Sequence, residues 1–235
     1  MFLSFVYDKI SGSYKKSCPG FADFCSPSRA EFIKSLILKD FDGSGFISKI
    51  KDSERVIPAI NYEYCEIPTD IIVLNEVSSD TVTHRDVLGS VMSLGIKRCK
   101  IGDIIVADKV YFEVKNEITP YIISNLSKIK SKNVKPEIFE GALNKTYDFK
   151  EIPMTVSSLR ADCIISSLAN LSRENAKDLI QSGKVSVNSK VFENPSKCLN
   201  QNDVISVRGS GKYIFSEIAG ATKKDRLKII IKKYI

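Results

Sequence analysis

No run of about 18 consecutive apolar residues occurs in this 235-residue chain, so it holds no candidate transmembrane helix. The apolar part of MFLSFVYDKISGSYKK precedes its charges, the reverse of a secretory signal, and the chain is expected to be cytoplasmic, with no membrane attachment. Histidine is nearly missing, His84 being the only one. The six cysteines (Cys18, Cys25, Cys65, Cys99, Cys163 and Cys198) include no C-x-x-C pair, so the common zinc spacings are lacking and neither a metal nor a cofactor is expected. A secreted disulfide framework would be denser and shorter, and these residues read as reduced thiols. Acid-base chemistry has few candidates in such a sequence, which argues against an enzyme.

What is present is positive charge in one place. Residues 1–149 carry 20 Lys or Arg and 20 Asp or Glu, whereas residues 150–235 carry 15 against 8, so the whole net charge of +7 belongs to the last third. That asymmetry points to a polyanion-binding end. A basic surface kept for solubility is the alternative.

The chain reads as α+β in three parts. Residues 1–66 form an N-terminal segment of mixed character, with a helix, a stretch containing Gly, Pro and Ser, a second helix over about 28–38, and turn signals in FDGSGFISKI. Residues 67–148 are more regular: TDIIVLNEV as a buried strand, HRDVLGSVMSLG as a helix stopped by Gly95, IGDIIVA and VYFEV as strands, ITPYIISNLSKI as a helix, and NVKPEIFEG as a short strand. This βαββαβ order predicts a ferredoxin-like, RRM-like domain. Tyr111 and Phe112 are the only aromatics its first and third strands offer, so a packing sheet is preferred to a base-stacking one. Residues 143–157 read as an extended connector ending at Ser157 and Ser158, both good N-caps. Residues 149–235 then give two short helices and the strands KVSVN, KVF and DVISVR.

In the second of those helices, Arg173, Lys177 and Gln181 share one face while Ala176, Leu179 and Ile180 share the other. The first helix has an apolar stripe of Ala161, Ile164, Ile165 and Leu168, with Arg160 at its start. Two helix starts, each with an Arg and free backbone N–H groups, make a recipe for phosphate. The stretch from LRADCIISSLAN through SRENAKDLIQSGKVSVNSK to NDVISVR resembles the RNA-binding domain of ribosomal protein S4, with Arg160, Asp162, Ser172, Arg173, Ala176, Leu179, Ile180, Gly183, Asn188 and Lys190 among the matched positions. Ala161, Ser189 and Asn202 depart from that pattern. Together with FADFCSPSRAEF, HRDVLGSVMSLGIKRCKIGDI and RGSGKYIFSEIAGATKKDRLKIIIKKY, these residues resemble the bacterial YlmH family over almost the whole chain.

The resemblance implies an S4-type domain over 149–235 with a C-terminal extension, and a monomeric RNA-binding protein of the large ribosomal subunit. Its partners would be large-subunit rRNA and, in the rescue of stalled subunits, tRNA. Arg160, Ser172, Arg173, Lys177, Gln181, Lys184, Lys190, Arg208 and Lys212 are the expected RNA contacts, and Arg85, Lys97, Arg98 and Lys100 a second RNA surface. GSGK at 209–212 is no Walker loop, because Ser206 stands where the first Gly belongs and Tyr213 where Ser or Thr should hold magnesium. His84-Arg85-Asp86 lacks the companions of a kinase catalytic loop and reads as a helix start. An RNA-modifying enzyme with an unfamiliar site and an adaptor for the division machinery remain as alternatives.

Overall fold

The computed structural model describes residues 2–36, 38–147, 149–222 and 225–234, which fold with mixed α and β structure in two units, Met1–Thr146 and Tyr147–Ile235. The first unit begins with α1 (Phe2–Lys15), β1 (Gly20–Phe21), α2 (Pro27–Leu36), β2 (Ser44–Ile47), β3 (Ile50–Lys51) and β4 (Ile57–Ile60). Strands β1, β4 and β2 pair antiparallel, and Val6, Ile10, Ile33 and Ile60 form the core beneath the two helices.

From β5 (Thr69–Leu74) the order is α3 (His84–Ser93), β6 (Ile101–Val106), β7 (Val110–Lys115) and α4 (Thr119–Asn125). A small hairpin of β8 (Lys128–Ile129) and β9 (Lys132–Asn133), then β10 (Glu137–Ile138) and β11 (Leu143–Asn144), complete the unit. The sheet order is β10-β5-β7-β6 with antiparallel neighbours, while β11 lies parallel to β3. Strand side chains alternate between faces, so Ile72, Leu74, Phe112 and Val114 share the side on which Val87 and Val91 of α3 and Ile122 of α4 complete the core. A capping box holds the start of α3: Thr83 accepts from the Asp86 N–H, and the Asp86 carboxylate accepts from the Thr83 N–H at 2.8 Å. The helix expected over 118–129 stops at Asn125, because residues 128–129 enter the hairpin instead.

The sheet's second face carries polar residues that have been buried and matched. Glu113 has no exposed surface and accepts from Thr69 Oγ1 at 2.7 Å, Lys49 N at 2.9 Å and Ser48 Oγ. Asp103 accepts from Glu54 N at 2.6 Å, Ser53 Oγ at 3.1 Å and Lys145 Nζ at 2.9 Å. Arg55 donates through Nε to the Ile101 carbonyl at 3.0 Å and through Nη2 to that of Arg98 at 3.2 Å. Unpaired, these buried groups would each cost a large desolvation penalty; paired, they fasten residues 48–55 to the sheet in one register. Phe112 lies in the helix-side core, and Tyr111 is half-buried with Phe139 edge-on at 5.1 Å.

The closeness of this roof makes a test. A Cβ at Gly102 would meet the ring of the fully buried Phe24 at 2.7 and 2.9 Å and Glu113 Cβ at 3.1 Å. Gly102→Ala is expected to cost about 1–3 kcal/mol as overpacking. Gly89→Ala, on α3 with nothing within 4 Å of its Cβ, is expected to gain about 0.5–1 kcal/mol from helix propensity. Thermal unfolding should therefore move in opposite directions for the two.

In the second unit, β12 (Phe149–Val156) leads to α5 (Ala161–Ala169), α6 (Arg173–Gln181), β13 (Val185–Val187), β14 (Lys190–Val191), β15 (Val204–Val207), β16 (Gly211–Ala221) and β17 (Leu227–Tyr234). The six strands run β12-β17-β16-β15-β13-β14, antiparallel throughout. Ile164 and Ile165 of α5 and Ala176 and Ile180 of α6 pack on Val185, Ile205, Phe215 and Ile231 of one face.

Two expectations are corrected. Residues 149–156, expected as connector, are an edge strand paired with β17 along their whole length. Ile152, Met154 and Val156 contribute to the core, and the edge position tolerates Pro153, which has no N–H for a ladder. The N-cap of α5 is Arg160, while the hydroxyls of Ser157 and Ser158 lie 3.4 and 3.2 Å from Cys163 Sγ.

The β13–β14 turn holds both Asn188 (φ 50°) and Ser189 (φ 63°) in the left-handed region, the geometry of a two-residue hairpin. The Asn188 side chain secures it, donating to Asp203 Oδ1 at 2.8 Å and accepting from Val204 N at 2.9 Å.

Candidate nucleic-acid interface

Helices α5 and α6 lie side by side because Asn170, left-handed at φ 53°, turns the chain immediately after α5. Ser172 then starts α6, its hydroxyl accepting from Asn175 N at 3.1 Å. Removing that cap in Ser172→Ala is expected to cost about 1 kcal/mol, visible as a lowered melting temperature, with Ser172→Gly closer to the parent.

Between the helix starts sits Asp162, whose side chain has no exposed surface. Its Oδ1 accepts from Arg160 Nε at 3.1 Å, and its Oδ2 accepts from Arg160 Nη2 and Arg173 Nη2, both at 3.0 Å. Arg160 Nη2 also donates to Ser196 Oγ at 2.8 Å. The two guanidiniums remain 36% and 53% exposed, so they are anchored from below and open above. Hydrogen bonds from Arg160, then Arg173, hold the Asp162 carboxyl well below the usual carboxylate range, and the same contact raises Arg160. Two cations on one buried anion leave a fixed excess of one positive charge.

The expected supply of free N–H groups at the start of α5 is corrected here. Ala161 N donates to the Lys197 carbonyl at 2.9 Å and Asp162 N to that of Pro195 at 3.0 Å, so the first turn of α5 is closed by the 195–197 segment. Anion attraction at this end must come from the arginine side chains.

Arg173, Lys177 and Gln181 are exposed at successive turns of α6, opposite the buried Ala176 and Ile180. Gly183, at φ 68°, ends the helix and leads to exposed Lys184, whose carbonyl accepts from the N–H of exposed Arg208 at 2.9 Å, so these two cations flank one sheet end. Lys190 pairs with Val187 at the hairpin. Lys212 is separate: its neighbour Tyr213 is in the helix-side core, so strand alternation puts Lys212 on the other face, with Nζ 4.7 Å from the Tyr234 ring centre.

Asp162 and Ser196, which hold these arginines, are the residues that charge counting missed. The R-x-D spacing before an apolar helix was the available signal for the first; nothing local marked the second.

In the first unit, Arg85 and Lys97 are exposed. Arg98 instead donates to the carbonyls of Ile101 and Gly102, and burial with Arg55 nearby lowers its pKa to about 10. Lys100 is held between Asp23 and Glu117, each at 2.7 Å. Half of the expected second surface is thus engaged in internal contacts. Among the described residues no helix is long and apolar enough to cross a membrane, and no cluster of three His, Cys, Asp or Glu could hold a metal ion.

Residues 76–140 match the family model described as "Putative RNA-binding domain in YlmH". The chain is 33% identical over 221 residues to "Ribosome-associated protein quality control protein P2" of Bacillus subtilis (strain 168), spanning 90% of this chain and 86% of that one. Among solved structures, "Cell division protein ylmH from Streptococcus pneumoniae" aligns with a TM-score of 0.47 and 23% identity over 59% of this chain and 88% of its own.

Proposed function

Since this chain belongs to the YlmH family, we propose that it is a cytoplasmic RNA-binding protein that acts on the large ribosomal subunit in the quality control of stalled ribosomes. The B. subtilis relative is named for ribosome-associated quality control, and the family match carries an RNA-binding description; both support the reading. Residues 149–235 act as an S4-type domain. The observation that carries this is the buried Asp162 carboxylate holding Arg160 and Arg173 half-exposed beside the Lys177 and Gln181 face. Arg forks suit phosphate oxygens, and a short basic helix cannot reach base edges in the deep major groove of A-form RNA, so phosphate and shape govern recognition. Lys184, Lys190 and Arg208 extend the contact along the sheet end.

Residues 67–148 act as an RRM-like domain, a reading supported by the strand order β10-β5-β7-β6 with both helices on one face. Its other face is roofed by residues 48–55, which favours Arg85 and Lys97 over the sheet as the second RNA contact. The bound RNA is large-subunit rRNA together with tRNA, and the protein works as a monomeric binder without catalysis. Sedimentation of purified chain with isolated ribosomal subunits tests this. Co-migration with large but not small subunits is expected, and crosslinks should join residues 160–184 to rRNA. Equal migration with both subunits, or with neither, overturns the assignment.

A further inference from the structure

At the end of β7, strand alternation puts Lys115 on the same sheet face as Glu113, and Lys115 is likewise buried, at 6% exposed. Glu113 is met by three donors, whereas the Lys115 ammonium is poorly matched. It has three protons to donate, and among the described residues its one hydrogen bond is a long contact of 3.4 Å to the Ala22 carbonyl. Burial pushes its pKa down, against the pull of Asp23 and Glu117. Those two carboxylates are committed to another cation, each lying 2.7 Å from Lys100 Nζ. Exposed Lys9 of α1 borders the same cleft. Three ammoniums against two carboxylates leave one positive charge over, and the buried one lacks hydrogen-bond partners.

The cleft lined by these groups has a volume of about 260 Å³ and lies wholly within the first unit. That is near the lower end for ligand sites and suits one ring with one phosphate, not a helical stem. Its remaining walls are apolar: Phe5, one turn from Lys9 on α1, Phe21 on β1, and Pro19 and Pro68. Phe5 is 44% exposed, so apolar surface is left uncovered there. Exposed Asn116 adds an amide that both donates and accepts. A bare inorganic anion would leave the apolar walls unused, and an uncharged ring would leave Lys115 without a counter-charge. A nucleotide meets both needs, with a phosphate for the ammoniums, a flat base for the walls and a hydrogen-bonding base edge for Asn116. Lys100, Lys115 and Asn116 also fall within residues 76–140, which match the RNA-binding family model.

We propose that the cleft between α1, β1 and the end of β7 binds one nucleotide, with its phosphate on Lys115 and Lys9 and its base against Phe5 and Phe21. The choice of a nucleotide over another ringed anion rests on the RNA-binding reading above. An unpaired residue of a bound RNA and a free nucleoside monophosphate offer the cleft the same chemistry.

Titration of the isotope-labelled full chain with uridine monophosphate and with adenosine monophosphate, followed by amide chemical shifts, tests it. Saturable shifts are expected at Phe21, Lys115 and Asn116 with at least one of the two. The corresponding nucleoside and inorganic phosphate, each half of the ligand, should bind about tenfold more weakly or worse. Lys115→Met keeps the packed stem without the charge and is expected to weaken nucleotide binding about tenfold, with no fall in melting temperature. Lys9→Ala, at the exposed surface, should weaken it about threefold and carries the test if Lys115→Met does not fold. Fluorescence anisotropy with a labelled oligouridylate separates the two sources. Weaker oligouridylate binding in these variants makes the ligand a residue of RNA, and unchanged binding beside a lost monophosphate site makes it a free nucleotide. The proposal fails if neither monophosphate moves these amides, if both variants bind nucleotide as the parent does, or if benzoate or inorganic phosphate binds as tightly. The RNA-binding reading fails separately, through RNA hairpin binding that is absent or unaffected by Arg173→Ala.

Discussion

Asp162→Asn is expected to weaken RNA binding by about tenfold although it makes the chain one charge more positive, because an ordered Arg fork loses less entropy on binding than a mobile one. If net charge alone drew RNA to this end, the substitution would strengthen binding. The Asn amide offers one oxygen and places an NH₂ donor against guanidinium donors, so Arg160 and Arg173 lose the anchor that fixes their direction. Asp162→Ala should behave the same way or slightly worse.

Stability should fall too, by about 1–2 kcal/mol, since charge-assisted hydrogen bonds to a buried carboxylate are lost while the half-exposed arginines regain water. The pH dependence follows from the depressed folded-state pKa of Asp162. Its contribution is complete above the unfolded carboxyl value of about 3.9 and is lost as pH falls through the lower folded value. The parent should therefore lose stability at acid pH more steeply than Asp162→Asn, and unfolding followed across that range checks the sign.

The second large effect is expected of Arg160→Ala combined with Arg173→Ala. Each guanidinium keeps an exposed part that can meet a phosphate, and removing both takes away two release sites for condensed counterions. Affinity at moderate salt should fall on the order of tenfold to a hundredfold, and the slope of log affinity against log salt should shrink by roughly 1.5. Lys177→Ala, one turn further along α6, should give a smaller loss with the same kind of change in slope.

Much of this was readable beforehand, for physical reasons that differ by element. The runs 69–74 and 110–115 read as strands because they are short and largely apolar, and 84–93 as a helix because it buries one side against a single core. The α6 face was equally plain, since Ala176 and Ile180 leave Arg173, Lys177 and Gln181 nowhere to go but outward. Strand β12 was hidden because Lys150, Glu151, Pro153 and Thr155 outnumber the core-facing side chains of an edge strand. Lys100 looked like a surface charge because its partner Asp23 lies far away in sequence, and Arg98 because its partners are backbone carbonyls, those of Ile101 and Gly102, which no charge pattern marks. Local pattern carries no information on such pairings, and none on Glu113, a charged residue mid-strand that only the roof over the sheet makes buried. Asp162 is an intermediate case: its spacing from Arg160 was visible, but its grip on Arg173 needed the turn at Asn170 to bring the helix starts together.

The most direct measurement of the central claim is the salt dependence of association with isolated large ribosomal subunits for the parent and for Arg160→Ala with Arg173→Ala, each verified as folded by its melting curve. A weakened association with a slope reduced by roughly 1.5 is the expected result. An unchanged affinity and slope in a folded double variant would contradict the assignment of this face as the RNA grip.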